Sequence, residues 1–113
     1  MENDAVRFFE KFQADVPRIK EMAPDAAAGM GALFQKVMKE GALTVREKEL
    51  VALGMGIVLR CVPCINLHVK KSLEAGATKE EILEVAGVAV MMQGGPGYTY
   101  IPKVIDALDA IEG

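Results

Sequence analysis

The stretch Thr44–Ile82, TVREKELVALGMGIVLRCVPCINLHVKKSLEAGATKEEI, decides the fold. Thr44-Val45-Arg46-Glu47 and Thr78-Lys79-Glu80-Glu81 each place a threonine three residues ahead of a glutamate. That spacing is a capping box, in which each side chain satisfies a backbone N–H that the first helical turn leaves free. Between the boxes lies Cys61-Val62-Pro63-Cys64-Ile65-Asn66-Leu67-His68, which holds both cysteines and the only histidine of 113 residues. A residue before proline is pushed towards extended backbone. Val62 therefore predicts a break near Arg60–Val62 and a new helix starting at the CxxC. That helix runs to about Ala75 and ends at Gly76, so the stretch reads as three consecutive helices.

Outward from this core the pattern stays helical, without strand-type alternation. The first box opens a helix to about Leu59, and the second opens one to about Gln93. Gly94-Gly95-Pro96-Gly97 reads as a loop, and a last helix covers about Tyr100–Ile111 with Pro102 in its first turn. Upstream, an amphipathic helix spans about Asp4–Ala14, with Val6, Phe8, Phe9 and Phe12 as its apolar residues. Pro17 is placed near the start of a short helix to about Met22. Pro24 and Asp25 open a helix to about Glu40, ended by Gly41. Six or seven helices with short connections predict an all-α bundle, and residues 1–113 read as a single domain without repeats, low complexity or linkers.

Composition narrows the function. A net charge of −3 and a pI near 5.2 argue against nucleic-acid binding, which calls for a basic face. The apolar stretches Leu50–Leu59 and Val85–Met92 are too short to span a bilayer. The opening Met-Glu-Asn-Asp lacks the basic and apolar regions of a signal peptide. The expected setting is cytoplasmic, where a lone cysteine pair points to catalysis or metal binding before a structural staple. With 51% hydrophobic residues and a mean hydropathy of +0.22, so short a chain is expected to bury surface in an oligomer.

The expected helix break puts Cys61 and Cys64 at a helix N-terminus. Free N–H groups and the macrodipole there favour an anion, and such placement lowers a thiol pKa from its usual ~8.5. The thiolate is the species that attacks disulfides and peroxides. His68 lies one turn beyond Cys64, placed to act as base, proton shuttle or hydrogen-bond partner. Two thiols carry two electrons, so this chemistry needs no bound cofactor. The blander readings are a zinc site, for which a second Cys or His pair is missing, and inert core cysteines. Periodicity does not choose between Glu47 and Glu49 as an acidic partner, because their helix is apolar nearly all round. Capping occupies Glu47 and leaves Glu49 freer. The methionines, including Met55, Met91 and Met92, read as core or interface filler. Tyr98 and Tyr100 read as packing residues, and Lys70-Lys71 as a solvated face.

From about Thr44 to Met92 the chain resembles the carboxymuconolactone decarboxylase-like superfamily, and within it the AhpD-like alkylhydroperoxidase branch. The residues that carry this are Glu49, then Cys61-x-x-Cys64-x-x-x-His68, then Glu74-Ala75-Gly76-Ala77-Thr78-Lys79-Glu80-Glu81-Ile82. The resemblance implies an all-helical bundle assembled as a homotrimer or homohexamer. It implies a dithiol that reduces hydroperoxides, or serves as a thioredoxin-like disulfide reductant of a peroxiredoxin; a lipoyl domain, thioredoxin and glutathione stay open as its electron donor. By the same resemblance Cys64 is the activated thiol, Cys61 its disulfide partner, and His68 and Glu49 a proton relay. Pro63 departs from the branch, some members of which carry a histidine between the cysteines. Two other functions compete: lactone decarboxylation in aromatic degradation, which needs no cysteine pair, and a non-enzymatic metal-binding module.

Overall fold

The structure, a computed structural model, describes residues 2–112. Its elements are α1 (Asp4–Met22), α2 (Pro24–Val37), α3 (Val45–Val58), α4 (Val62–Glu74), α5 (Lys79–Gln93), α6 (Gly95–Tyr98, a single turn) and α7 (Ile101–Glu112). The all-α expectation holds. Among the described residues there is no strand, and no helix is long and apolar enough to cross a membrane.

One core holds the bundle. Leu53 and Ile57 of α3, Ile65 and Val69 of α4, Ile82 of α5, and Val104 and Leu108 of α7 are fully or almost fully buried together. The paired residues of α3, α4 and α7 are each four apart, which puts each pair on one helix face. Helices α3 and α4 form the most extensive pair, with α5 and α7 packed against them. At the periphery, α1 lies on α7 and α4 through Ala5 and Phe9. Helix α2 packs mainly against α1 and buries no residue.

Both capping boxes form as expected, reciprocally at Thr44–Glu47 and Thr78–Glu81. The Thr44 backbone N–H holds the Glu47 carboxyl below its ordinary value of 4.5. The Thr78 N–H, with Arg46 nearby, does the same for Glu81.

Four boundaries depart from the sequence expectation. Helix α1 runs through Pro17 as one element. Proline there removes a donor to the Gln13 carbonyl, but both residues are exposed, so water can serve that carbonyl. Helix α2 stops at Val37, three residues before Glu40, with Lys48 Nζ donating to the Val37 and Lys39 carbonyls beyond its end. The Gly94–Gly97 loop runs into the turn α6, whose second residue is Pro96, where a missing N–H costs little. Val62 is the first residue of α4, and the extended residue is Cys61, at φ −98° and ψ 96°. The break therefore falls over residues 59–61.

Candidate active site

The site is built at the junction of α3 and α4. Helix α3 ends in a Schellman arrangement, with the Cys61 N–H donating to the Gly56 carbonyl and the Arg60 N–H to the Ile57 carbonyl, both at 3.0 Å. Arg60 takes the left-handed position, φ 56°, where glycine is usual. The reversal is so tight that Cys61 both closes α3 and caps α4. Its sulfur accepts the Cys64 backbone N–H at 3.2 Å, the hydrogen bond an N-cap threonine oxygen makes elsewhere in the chain.

Cys61 and Cys64 are joined as a disulfide, with Cα atoms 5.2 Å apart. Both are partly exposed, so a reagent can reach them. The first turn of α4 carries no acidic residue, which leaves the positive end of its dipole unopposed. Beneath it, Gly56 lets α3 approach closely: a Cβ there would stand 3.1 Å from the Cβ of Cys64. Glycine inside a helix weakens it. That is the one sequence-level sign of this contact, and sequence reasoning passed over it.

One turn along α4, His68 Nδ1 meets Glu49 Oε1 of α3 at 2.7 Å. Glu49 is buried at 4% exposure, whereas Glu47 is spent on the capping box. The structure thus separates the two acids that periodicity left undecided. An ionised carboxylate only accepts, so the tautomer that suits an ionised Glu49 is the one with Nδ1–H as donor and the lone pair on Nε2. The ring of Phe34, from α2, lies nearly parallel to the imidazole, with centroids 6.1 Å apart and planes 8° apart. Lys71 Nζ stands 4.9 Å from the centroid of the Phe34 ring. The sequence carries no local signal for the Phe34 contact, because α2 reaches the site by tertiary packing.

The remaining candidates divide. Tyr100 packs on the core as expected, but Tyr98 is exposed. Lys70 is exposed, while Lys71 is half-buried and engaged with Phe34. Met55, Met91 and Met92 lie on the surface of the chain and are not core filler within it. Among the described residues no three His, Cys, Asp or Glu side chains are grouped as a metal site.

Residues 24–110 match the carboxymuconolactone decarboxylase family. The chain belongs to this family. It is 40% identical over 82 residues, 73% of its length and 74% of the relative's, to an uncharacterised protein of the cox locus of Paracoccus denitrificans. Its fold matches a solved family protein of Legionella pneumophila with a TM-score of 0.84 and 31% identity, covering 98% of this chain and 96% of that one. A family protein of Thermotoga maritima, described as a candidate participant in an antioxidative response, matches with a TM-score of 0.80 and 25% identity over 92% of this chain and 89% of that one. The AhpD-like resemblance is consistent with membership of this family.

Proposed function

We propose that this family member is a thiol-dependent oxidoreductase that reduces a hydroperoxide, or the disulfide of a peroxiredoxin, through the Cys61–Cys64 dithiol. The carrying observation is a bridgeable cysteine pair at a helix N-terminus with a His68–Glu49 hydrogen bond one turn beyond it. The two sulfurs have different helpers. Cys64 precedes His68 by one turn, and Cys61 accepts a backbone N–H.

In the reduced enzyme His68, oriented by Glu49, takes the Cys64 proton. The Cys64 thiolate attacks one peroxide oxygen, and the O–O bond breaks. The alkoxide receives the proton from His68 and leaves as an alcohol, which leaves Cys64 as the sulfenic acid. The Cys61 thiol then attacks the Cys64 sulfur. Its proton leaves with the hydroxyl as water, and the disulfide forms. An external dithiol of the lipoyl or thioredoxin type returns two electrons and two protons by exchange at Cys64. Cys61 departs as a thiolate stabilised by the helix N-terminus. A cytoplasmic reductant pool and a homotrimeric or homohexameric assembly fit this reading.

Steady-state turnover of an alkyl hydroperoxide with a dithiol reductant tests it. Cys64→Ser and Cys61→Ser are each expected to abolish the reaction. Full turnover by Cys64→Ser overturns the assignment, and alkylation-insensitive loss of a lactone substrate would favour the decarboxylation for which the family is named.

A further inference from the structure

One hydrogen bond does not fix the plane of an imidazole. The contact between His68 Nδ1 and Glu49 holds one corner of the ring. The terminal torsion of a histidine is broad and roughly two-fold, so the plane stays soft about that anchor. With Nδ1–H given to Glu49, the nitrogen left to take the Cys64 proton is Nε2, across the ring from the anchored atom. A tilt of the plane therefore carries Nε2 out of line with the thiol. What meets the face of the ring comes from another helix. The Phe34 ring lies within 8° of parallel to the imidazole, with centroids 6.1 Å apart, inside the range of offset-stacked aromatic pairs. The His68 side chain is only 16% exposed.

Phe34 is singular on its own helix. Helix α2 buries no residue and packs mainly against α1. Ala27 and Phe34, which share one helix face, are its only residues that are not exposed. Two lysines tie this helix down, one beside each member of the relay. Lys71 lies one turn after His68 on the same side of α4, and its Nζ stands 4.9 Å from the Phe34 centroid, within cation–π reach. Lys48 directly precedes Glu49 and donates to the Val37 and Lys39 carbonyls at 2.8 and 2.6 Å. An ammonium there suits the negative end of the α2 dipole. Phe34 sits in that same last turn, so the end of α2 that carries the ring is the end that is fastened.

We propose that Phe34 is a positioning residue for the relay: its ring, gripped by Lys71 and delivered by the fastened end of α2, sets the plane of the His68 imidazole and keeps water off that face. The inference rests on the dithiol reading, because the plane matters only where His68 exchanges a proton with Cys64. Keeping water away also strengthens the Glu49 hydrogen bond, since such contacts gain as the local dielectric falls. Phe34 acts through His68 alone. With His68 removed, it has nothing left to position.

Single-turnover oxidation of the reduced protein by an alkyl hydroperoxide tests it, in variants made both in wild type and in a His68→Gln background. Phe34→Leu keeps apolar bulk and loses the ring face. It should slow thiol oxidation about tenfold, part of the 10²-fold or more that general acid–base assistance is worth. Phe34→Tyr keeps the ring and should hold the wild-type rate. In the His68→Gln background, Phe34→Leu should cost nothing further, because two changes in one device do not add. A loss that persists there is a defect of folding or packing and overturns the inference, as does a Phe34→Leu protein that oxidises at the wild-type rate. Lys71→Met leaves the ring in place and should lose less than Phe34→Leu; a larger loss would mean that Lys71 acts on the reaction directly, against the clamp. A second readout needs no turnover. His68 is the only histidine, so its ring signals in NMR are unambiguous and should show contacts to the ring of residue 34 in wild type and Phe34→Tyr. Their absence in an active wild type overturns the inference alone. A wild type whose thiols ignore the hydroperoxide sinks the dithiol reading, and this inference with it.

Discussion

The junctions α3–α4 and α4–α5 are the same device built with different residues. Each ends one helix in a Schellman arrangement and starts the next after three or four residues. Ala77 N–H to the Ser72 carbonyl and Gly76 N–H to the Leu73 carbonyl repeat the pattern of Cys61 and Arg60. At α4–α5 the left-handed residue is Gly76, the cap is Thr78 and the third helical residue is Glu81. At α3–α4 the same roles fall to Arg60, Cys61 and Cys64, with Cys61 standing in for both Ala77 and Thr78, so this junction is one residue shorter. Each cap atom accepts the N–H of the residue three further on, at 3.1 Å for Thr78 and 3.2 Å for Cys61. One junction carries the residues that favour stability. The other puts two sulfurs into the same frame and leaves the helix dipole unopposed. The CxxC spacing is thus capping-box spacing with thiols in place of a hydroxyl and a carboxylate.

The largest expected effect comes from erasing that difference. Cys61→Thr/Cys64→Glu gives the α3–α4 junction the capping residues of the α4–α5 junction. Peroxide turnover should vanish, while thermal stability matches or exceeds that of the reduced wild type. Retained turnover would separate activity from the thiols. Next, Glu49→Gln keeps the size of the side chain but removes the negative acceptor beside His68. Loss of general-base assistance is worth about 10²-fold or more, read as the rate of thiol oxidation with the helical spectrum unchanged.

Much of this was legible in the sequence because the signals are local. Thr44, Thr78 and Gly76 mark helix boundaries through side-chain and backbone chemistry within four residues, and Cys61 and His68 fall on one helix by counting alone. Glu49 needed more, since α3 is apolar on several faces and its orientation towards His68 depends on how α3 meets α4. Phe34 was invisible, because no local rule links α2 to α4. Pro17 misled for the opposite reason: a local penalty was met by solvent at an exposed position.

Smaller effects sharpen the contrast between the junctions. Thr78→Ala removes an oxygen cap and should cost about 1 kcal/mol in denaturant unfolding, with little change in turnover. The capping glutamates also set an acid limit. Their carboxyls are depressed in the folded state below the ordinary 4.5. The stabilisation is therefore complete above that value and is lost as pH falls through the lower folded values. Melting temperature should drop on acidification below 4.5, and less steeply in Glu47→Gln/Glu81→Gln. The smallest change, Arg60→Gly, places glycine where the backbone is left-handed, as at Gly76. It should raise stability by about 1 kcal/mol; a loss of stability would show that the Arg60 side chain makes contacts that outweigh its backbone cost.

The central claim is that the cysteines at the α4 cap form a working dithiol. Intact mass of the reduced protein after one equivalent of hydroperoxide, with thiol reactivity followed against pH, tests it most directly. The account predicts loss of two hydrogens in wild type, none in Cys61→Ser or Cys64→Ser, and a thiol that titrates below the ordinary ~8.5. Two thiols of ordinary reactivity that survive peroxide unchanged would contradict it.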